Sequence, residues 1–166
     1  MSMQPHDATT AAENRVTLGC FEVGGGLFAL DVSQLREVVR WRAATPLPKA
    51  PQLIEGVIDL RDSVIPVIDL GRALGSEPIK QSEAARIAIA DVDGLVMGLA
   101  VDAAIEVLAV DVTSLEDPPS LATQAGYDAA RAVVRRPGAA PILVLSLEHI
   151  LESVYRSALP SGGAAS

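Results

Sequence analysis

Short apolar runs alternate with turn-forming clusters at roughly ten-residue spacing along most of the chain, the pattern of an all-β sandwich or barrel. Residues 17–23 and 27–31 flank Gly24-Gly25-Gly26, and glycine supplies the positive φ that a tight hairpin turn demands. A short helix is expected next, with Ser33 as N-cap and Glu37 in its first turns. A strand over 38–41 follows. Pro46, Pro48 and Pro51 make 45–51 a stiff, extended connection.

Residues 56–60 and 64–70 read as a second hairpin around Arg61-Asp62-Ser63, where Asp62 tolerates a turn conformation. One helical turn is expected over 72–74, ended by Gly75, then a polar loop over 76–84. Residues 86–91 alternate, with Ile87 and Ile89 on one face, and Asp93-Gly94 is a strong hairpin signal. Strands over 95–101 and 105–110 follow. The stretch 116–128 contains Pro118-Pro119 and reads as a loop. A last hairpin joins 130–136 to 142–145 through Pro137-Gly138. Residues 147–157 then read as a helix capped by Ser146, with Leu147, Ile150, Leu151 and Val154 on one face. Residues 1–14 and 158–166 are expected to be disordered tails, leaving one domain over 15–157.

A long-period repeat cuts across this order. Residues 27–32, leading to Glu37-Val38-Val39, parallel residues 95–101, leading to Glu106-Val107-Leu108, once one residue is inserted. Two related halves are the expectation, rather than one larger sheet.

Composition narrows the classes. The chain has 166 residues, of which 49% are hydrophobic and only 3% aromatic, so the core is largely aliphatic. A domain of this size buries roughly 70% of its unfolded surface and needs no metal or disulfide. The net charge of -8 argues against nucleic acid and anionic membrane surfaces as partners. Cys20 is the lone cysteine, which fits a reducing compartment. With a polar start and no long apolar run, neither a signal peptide nor membrane insertion is expected, and the location expected is cytoplasmic.

Catalytic chemistry is hard to find. His6 lies in the expected tail, and His149 lies on the last helix without a second ligand at metal-binding spacing. No nucleophile elbow or phosphate loop is present. The aspartates mostly sit at strand ends and turns, where aspartate is ordinary. No catalytic residue, metal or cofactor is therefore expected, although an aspartate-based barrel enzyme with converging carboxylates stays open as an alternative.

What stands out is surplus apolar surface. Residues 56–60, 64–70 and 142–145 carry apolar side chains on both faces. A small barrel has one interior, so the second face must meet the other half, a partner, or both. Pro66 cannot donate a ladder hydrogen bond and marks an edge strand or a bulge, where a partner can dock. Trp41, between Arg40 and Arg42, is either an interface residue or a lid over a barrel end.

Several of these residues together resemble the CheW-type coupling proteins of bacterial chemotaxis. They are Phe28-Ala29-Leu30-Asp31-Val32 through Leu35-Arg36-Glu37-Val38-Val39, then Pro46-Leu47-Pro48 and Pro51. The central stretch is Glu55-Gly56-Val57-Ile58-Asp59-Leu60-Arg61-Asp62-Ser63-Val64-Ile65-Pro66-Val67-Ile68-Asp69-Leu70. Gly98-Leu99-Ala100-Val101-Asp102 with Glu106-Val107 resembles a second signature. The resemblance implies an all-β fold of two small five-stranded β-barrels packed side by side, with short helices, and no catalytic activity. It implies a scaffold linking chemoreceptor cytoplasmic tips to the regulatory domain of a CheA-type histidine kinase at membrane-associated arrays, with other CheW-like domains as further partners. In the family a receptor helix lies in the groove between the barrels, and the barrel ends pack against the kinase.

By position, Leu35, Glu37, Gly56, Arg61 and Val101 fall where family members bind receptor or kinase. Trp41, Val57, Asp59, Asp62, Pro66, Asp102 and Ile105 join them as the candidate partner surface. A charge pair between Glu37 and Arg61 is expected, within the molecule or across an interface. Asp59 and Asp62 stand where the family writes Asn and Gly, which puts two carboxylates beside Arg61. Ala103 and Ala104 thin the expected groove wall. A divergent competitor or localisation factor that binds only one of the two partners is the alternative.

Overall fold

A computed structural model describes residues 14–119 and 129–158. Nearly all of both expected tails and most of the 116–128 loop lie outside them.

Hairpins dominate the local structure, and turn chemistry sets them. β1 (Arg15–Val23) and β2 (Gly26–Asp31) join through Gly24 and Gly25, both at positive φ. β4 (Ile54–Leu60) and β5 (Ser63–Asp69) join through Arg61 and Asp62, and β6 (Arg86–Val92) and β7 (Leu95–Val101) through Asp93 and Gly94. All four of these turn residues have positive φ, as a two-residue hairpin turn that follows the strand twist requires. The remaining strands are β3 (Leu35–Arg40), β8 (Ala103–Asp111), β9 (Leu115–Glu116), β10 (Ala130–Val134) and β11 (Ile142–Leu145).

Two mixed sheets result. The first runs β8-β1-β2-β11-β10-β9, the second β3-β6-β7-β5-β4. Apart from the two-residue β9, they match strand for strand. Each has an antiparallel hairpin (β1–β2, β6–β7), a parallel joint to a second hairpin (β2 with β11, β7 with β5), and an outer strand contributed by the other half. β3 leaves β2 and pairs with β6, while β8 leaves β7 and pairs with β1. The repeat expected from sequence is this exchange: each half gives its third strand away.

Two cores follow. One packs the facing sides of both sheets with the last helix, through residues such as Phe21, Leu30, Ile87, Leu99 and Ile150. The other lies beneath the first sheet and contains Leu18, Cys20, Ala29, Ile142 and Val144. β1, β2 and β11 are thus buried on both faces, which is why residues 142–145 are apolar throughout. Their second face meets the other half of the molecule.

Several local expectations change. Residues 32–34 form a 3-10 turn capped by the Asp31 carboxylate, which accepts from the Ser33 amide, and Glu37 lies on β3. Aspartate outcompetes Ser33 as cap because it can reach two residues on. β3 ends at Arg40, leaving Trp41 beyond it, and β10 ends at Val134. The helical turn is α1 (Leu70–Ala73), capped by Asp69, and the last helix is α2 (Leu147–Ala158). β5 is interior rather than an edge strand. Val57, opposite Pro66, spends its own N–H and C=O on Thr45. Pro66 nitrogen therefore points away from β4, and pairing with β7 begins only at Val67, so no ladder bond is lost.

Asp69 is the one buried charged side chain among the described residues. Its carboxylate accepts from the amides of Arg72 (3.1 Å) and Ile79 (3.2 Å), tying α1 and the following loop to β5.

Candidate functional site

β3 closes the second sheet and β8 closes the first, and each is hydrogen-bonded on one side only. Between them lies a groove of about 330 Å³, floored by Gly19, Cys20 and Phe21 of β1. Its walls are Leu35–Val38 and Ala104–Val107. Three apolar side chains are exposed here: Val107 at 70%, Ile105 at 46% and Val38 at 41%. A second concavity, about 400 Å³, adjoins it beside the β4–β5 turn and shares Arg36 and Glu37 with the groove.

The charged rim is organised by arginines. Arg61 grips Glu37 with both terminal guanidinium nitrogens, Nη1 to Oε2 at 2.5 Å and Nη2 to Oε1 at 2.7 Å. Arg36 donates twice to Asp91 Oδ2, at 3.0 and 2.6 Å, while Asp91 Oδ1 accepts from the Gly94 amide at 2.8 Å. That amide and Arg36 hold the Asp91 carboxyl below its usual pKa. On the far wall Arg136 Nη1 reaches Glu106 at 3.2 Å. Both carboxylates lining the groove are therefore occupied by arginines. Burial pushes the Cys20 thiol up, with Glu106 adding to it. No group of three or more His, Cys, Asp or Glu among the described residues could hold a metal.

Arg61 itself has φ 49°, a left-handed conformation that costs a non-glycine residue about 1–2 kcal/mol. The β4–β5 turn imposes this conformation, and from it the Arg61 side chain closes its fork on Glu37.

Comparison with known proteins decides the family: the CheW-like domain matches residues 17–155. The chain belongs to the CheW family. It is 33% identical over 138 residues to the chemotaxis protein CheW of Rhizobium meliloti, covering 83% of this chain and 88% of that protein. It is 26% identical over 145 residues to the CheW of Treponema pallidum, covering 85% of each. Among solved structures, the scaffolding protein TtCheW from Thermoanaerobacter tengcongensis superposes with a TM-score of 0.74 at 32% identity, over 81% of this chain and 86% of that one. The CheW family is one of non-catalytic scaffolds, so the aspartate-enzyme alternative falls.

The CheW-like residues singled out in the sequence divide into four groups. Leu35, Glu37 and Ile105 line the groove, and Arg61 reaches its rim through Glu37. Asp59 and Asp62 lie exposed at the β4–β5 turn, and neither makes an ion pair with Arg61, whose guanidinium turns to Glu37 instead. Val57 is half-buried, and Pro66 flanks a small apolar crevice against α2.

The remaining four serve the fold. Val101 is wholly buried, so it packs the core and presents nothing to a partner. Gly56 does permit a close backbone approach, but by this chain: a Cβ there would collide with the carbonyl of Thr45. Asp102 is the single residue between β7 and β8; its carboxylate accepts from the Gly24 amide at 2.7 Å, and its own amide donates to Glu22 at 2.9 Å. Trp41 packs, half-buried, against the main core, and its backbone amide donates to the Ala85 carbonyl.

Val38, Val107, Arg36 and Glu106 were not singled out by sequence. A signal existed in the adjacent Val38-Val39, one of which must face outward, and in Ile105/Val107, which share one face of an edge strand.

Proposed function

We propose that this CheW-family chain couples chemoreceptor cytoplasmic tips to a CheA-type histidine kinase, with the receptor helix seated in the β3/β8 groove. One observation carries this: the exposed Val38, Ile105 and Val107 line one groove whose charged groups are held in place at its edges. That is the profile of a site that takes one face of an amphipathic helix, apolar anchors in the centre and polar contacts at the rim. We read the two sheets as small barrels. Beyond β3 the chain returns to bridge Thr45 to β4, and beyond β8 it returns as β9 on β10, so each sheet's two edges are joined by one short stretch of chain. The barrel ends then face the kinase regulatory domain or another CheW-like domain. The setting is cytoplasmic, at receptor arrays; no helix among the described residues is long and apolar enough to cross a membrane.

Arg61 and Glu37 form the polar edge of this site. The Arg61 side chain is 73% exposed, so the pair adds little to folding, about 0–1 kcal/mol, and its weight falls on recognition. The test is capture of a purified kinase regulatory domain and a receptor tip fragment by the full chain. Binding of both supports coupling, and binding of one alone supports the competitor or localisation reading. If neither binds, the assignment fails. Arg61→Glu is expected to weaken capture without unfolding the chain, and the swap Glu37→Arg/Arg61→Glu to recover part of it.

A further inference from the structure

Gly19 sits in mid-strand on β1, between Leu30 of β2 and Val107 of β8. Its φ is not positive, so no backbone requirement calls for glycine. In a strand interior glycine is the weaker choice: it has more freedom to lose on folding and nothing to pack. Its reason is steric. A Cβ at this position would stand 2.8 Å from Cδ1 of Leu35, well inside van der Waals contact, while the next atoms, of the Phe21 ring, lie at an ordinary 3.7 Å. The obstacle to any larger residue is thus a single methyl group.

That methyl belongs to a groove residue. Along this face of β1, Phe21 is buried in the inter-sheet core, and Thr17, two residues beyond Gly19, is exposed. Gly19 marks the point where the core gives way to the groove floor, and Leu35 lies over it.

We infer that Gly19 sets the depth of the β3/β8 groove and so acts as a specificity-determining residue: by leaving room for the Leu35 methyl it lets the floor sink, and a side chain at 19 lifts Leu35 into the space a partner's apolar anchor enters. The inference rests on the receptor-groove reading. The partner it selects is a helix presenting a large apolar side chain at its centre; a smaller anchor tolerates the raised floor.

The experiment measures affinity of the full chain for a purified chemoreceptor tip fragment by calorimetry, alongside thermal unfolding and methyl NMR of the free chain. Gly19→Ala is expected to weaken binding by about tenfold, the effect of one displaced anchor contact, with a melting temperature unchanged or raised. In a Leu35→Ala background, where the obstructing methyl is gone, Gly19→Ala is expected to change affinity no further. Undiminished binding by Gly19→Ala, or an equal loss in both backgrounds, overturns the inference. If the unaltered chain does not bind the fragment, the receptor reading fails instead. The groove-depth claim is then decided by the Leu35 methyl signals, whose failure to shift in Gly19→Ala overturns it.

Discussion

Truncating Val107 to alanine removes two carbons from a side chain that is 70% exposed in the free protein. If the receptor helix covers it, burial adds about 0.8 kcal/mol per carbon, scaled by the exposed share, or about 1.1 kcal/mol in all. That corresponds to about six- to sevenfold in Kd. Ile105→Ala removes three carbons from a side chain at 46% exposure and is expected to match it. Val38→Ala, at 41%, is expected to cost only about threefold. Val112 is the control: it is 42% exposed, close to Val38, but lies outside the groove, and Val112→Ala should leave affinity unchanged. By the same reckoning on the share already buried, folding stability should fall by about 0.5 kcal/mol in Val107→Ala and by about 1 kcal/mol in each of the other three. Calorimetric titration of each variant with one receptor fragment reads the series. A Val112 effect as large as that of Val107, or a flat response across the groove, would refute the assignment of the binding face.

Asp69→Ala leaves the buried Ile79 amide without an acceptor and strips the cap from α1, a loss of about 2–4 kcal/mol and about 5–15 °C in thermal melting. Asp69→Asn keeps one acceptor oxygen and should lose clearly less; equal losses would mean that the charge, not the acceptor, matters. Asp91 behaves differently because its folded pKa is lowered by the Gly94 amide and Arg36. Its contribution is present above the ordinary carboxyl value and is lost as pH falls through the folded one. The stability gap between the unaltered chain and Asp91→Asn should therefore be constant above about pH 4 and close below it, as followed by denaturant titration across pH.

Hairpins were the most legible part of the chain, because Gly24-Gly25, Arg61-Asp62 and Asp93-Gly94 act through local backbone chemistry that three or four residues settle. The two-fold repeat was visible for a different reason, the likeness of residues 27–39 to residues 95–108. Which sheet each third strand joins was not, since β3 with β6 and β8 with β1 are distant pairings that no local pattern encodes. The groove inherits that blindness: its two walls come from β3 and β8, about seventy residues apart, and although the repeat matched Val38 with Val107, nothing in the sequence said that they face one cleft. The Glu37–Arg61 pair was anticipated through family resemblance, and spacing alone would not have found it. Gly56 shows the opposite failure. A glycine that admits a close backbone reads identically whether the visitor is a partner or, as here, Thr45 of the same chain.

Exchange of the third strands also governs how the molecule comes apart. Neither hairpin block can peel off with a complete sheet, because each keeps its neighbour's outer strand only while the neighbour stays folded, and the main core draws side chains from both. Partial opening of one half is thereby linked to loss of the other, and unfolding should be a single concerted step rather than two. Cleavage between the halves would yield pieces that regain structure only when recombined.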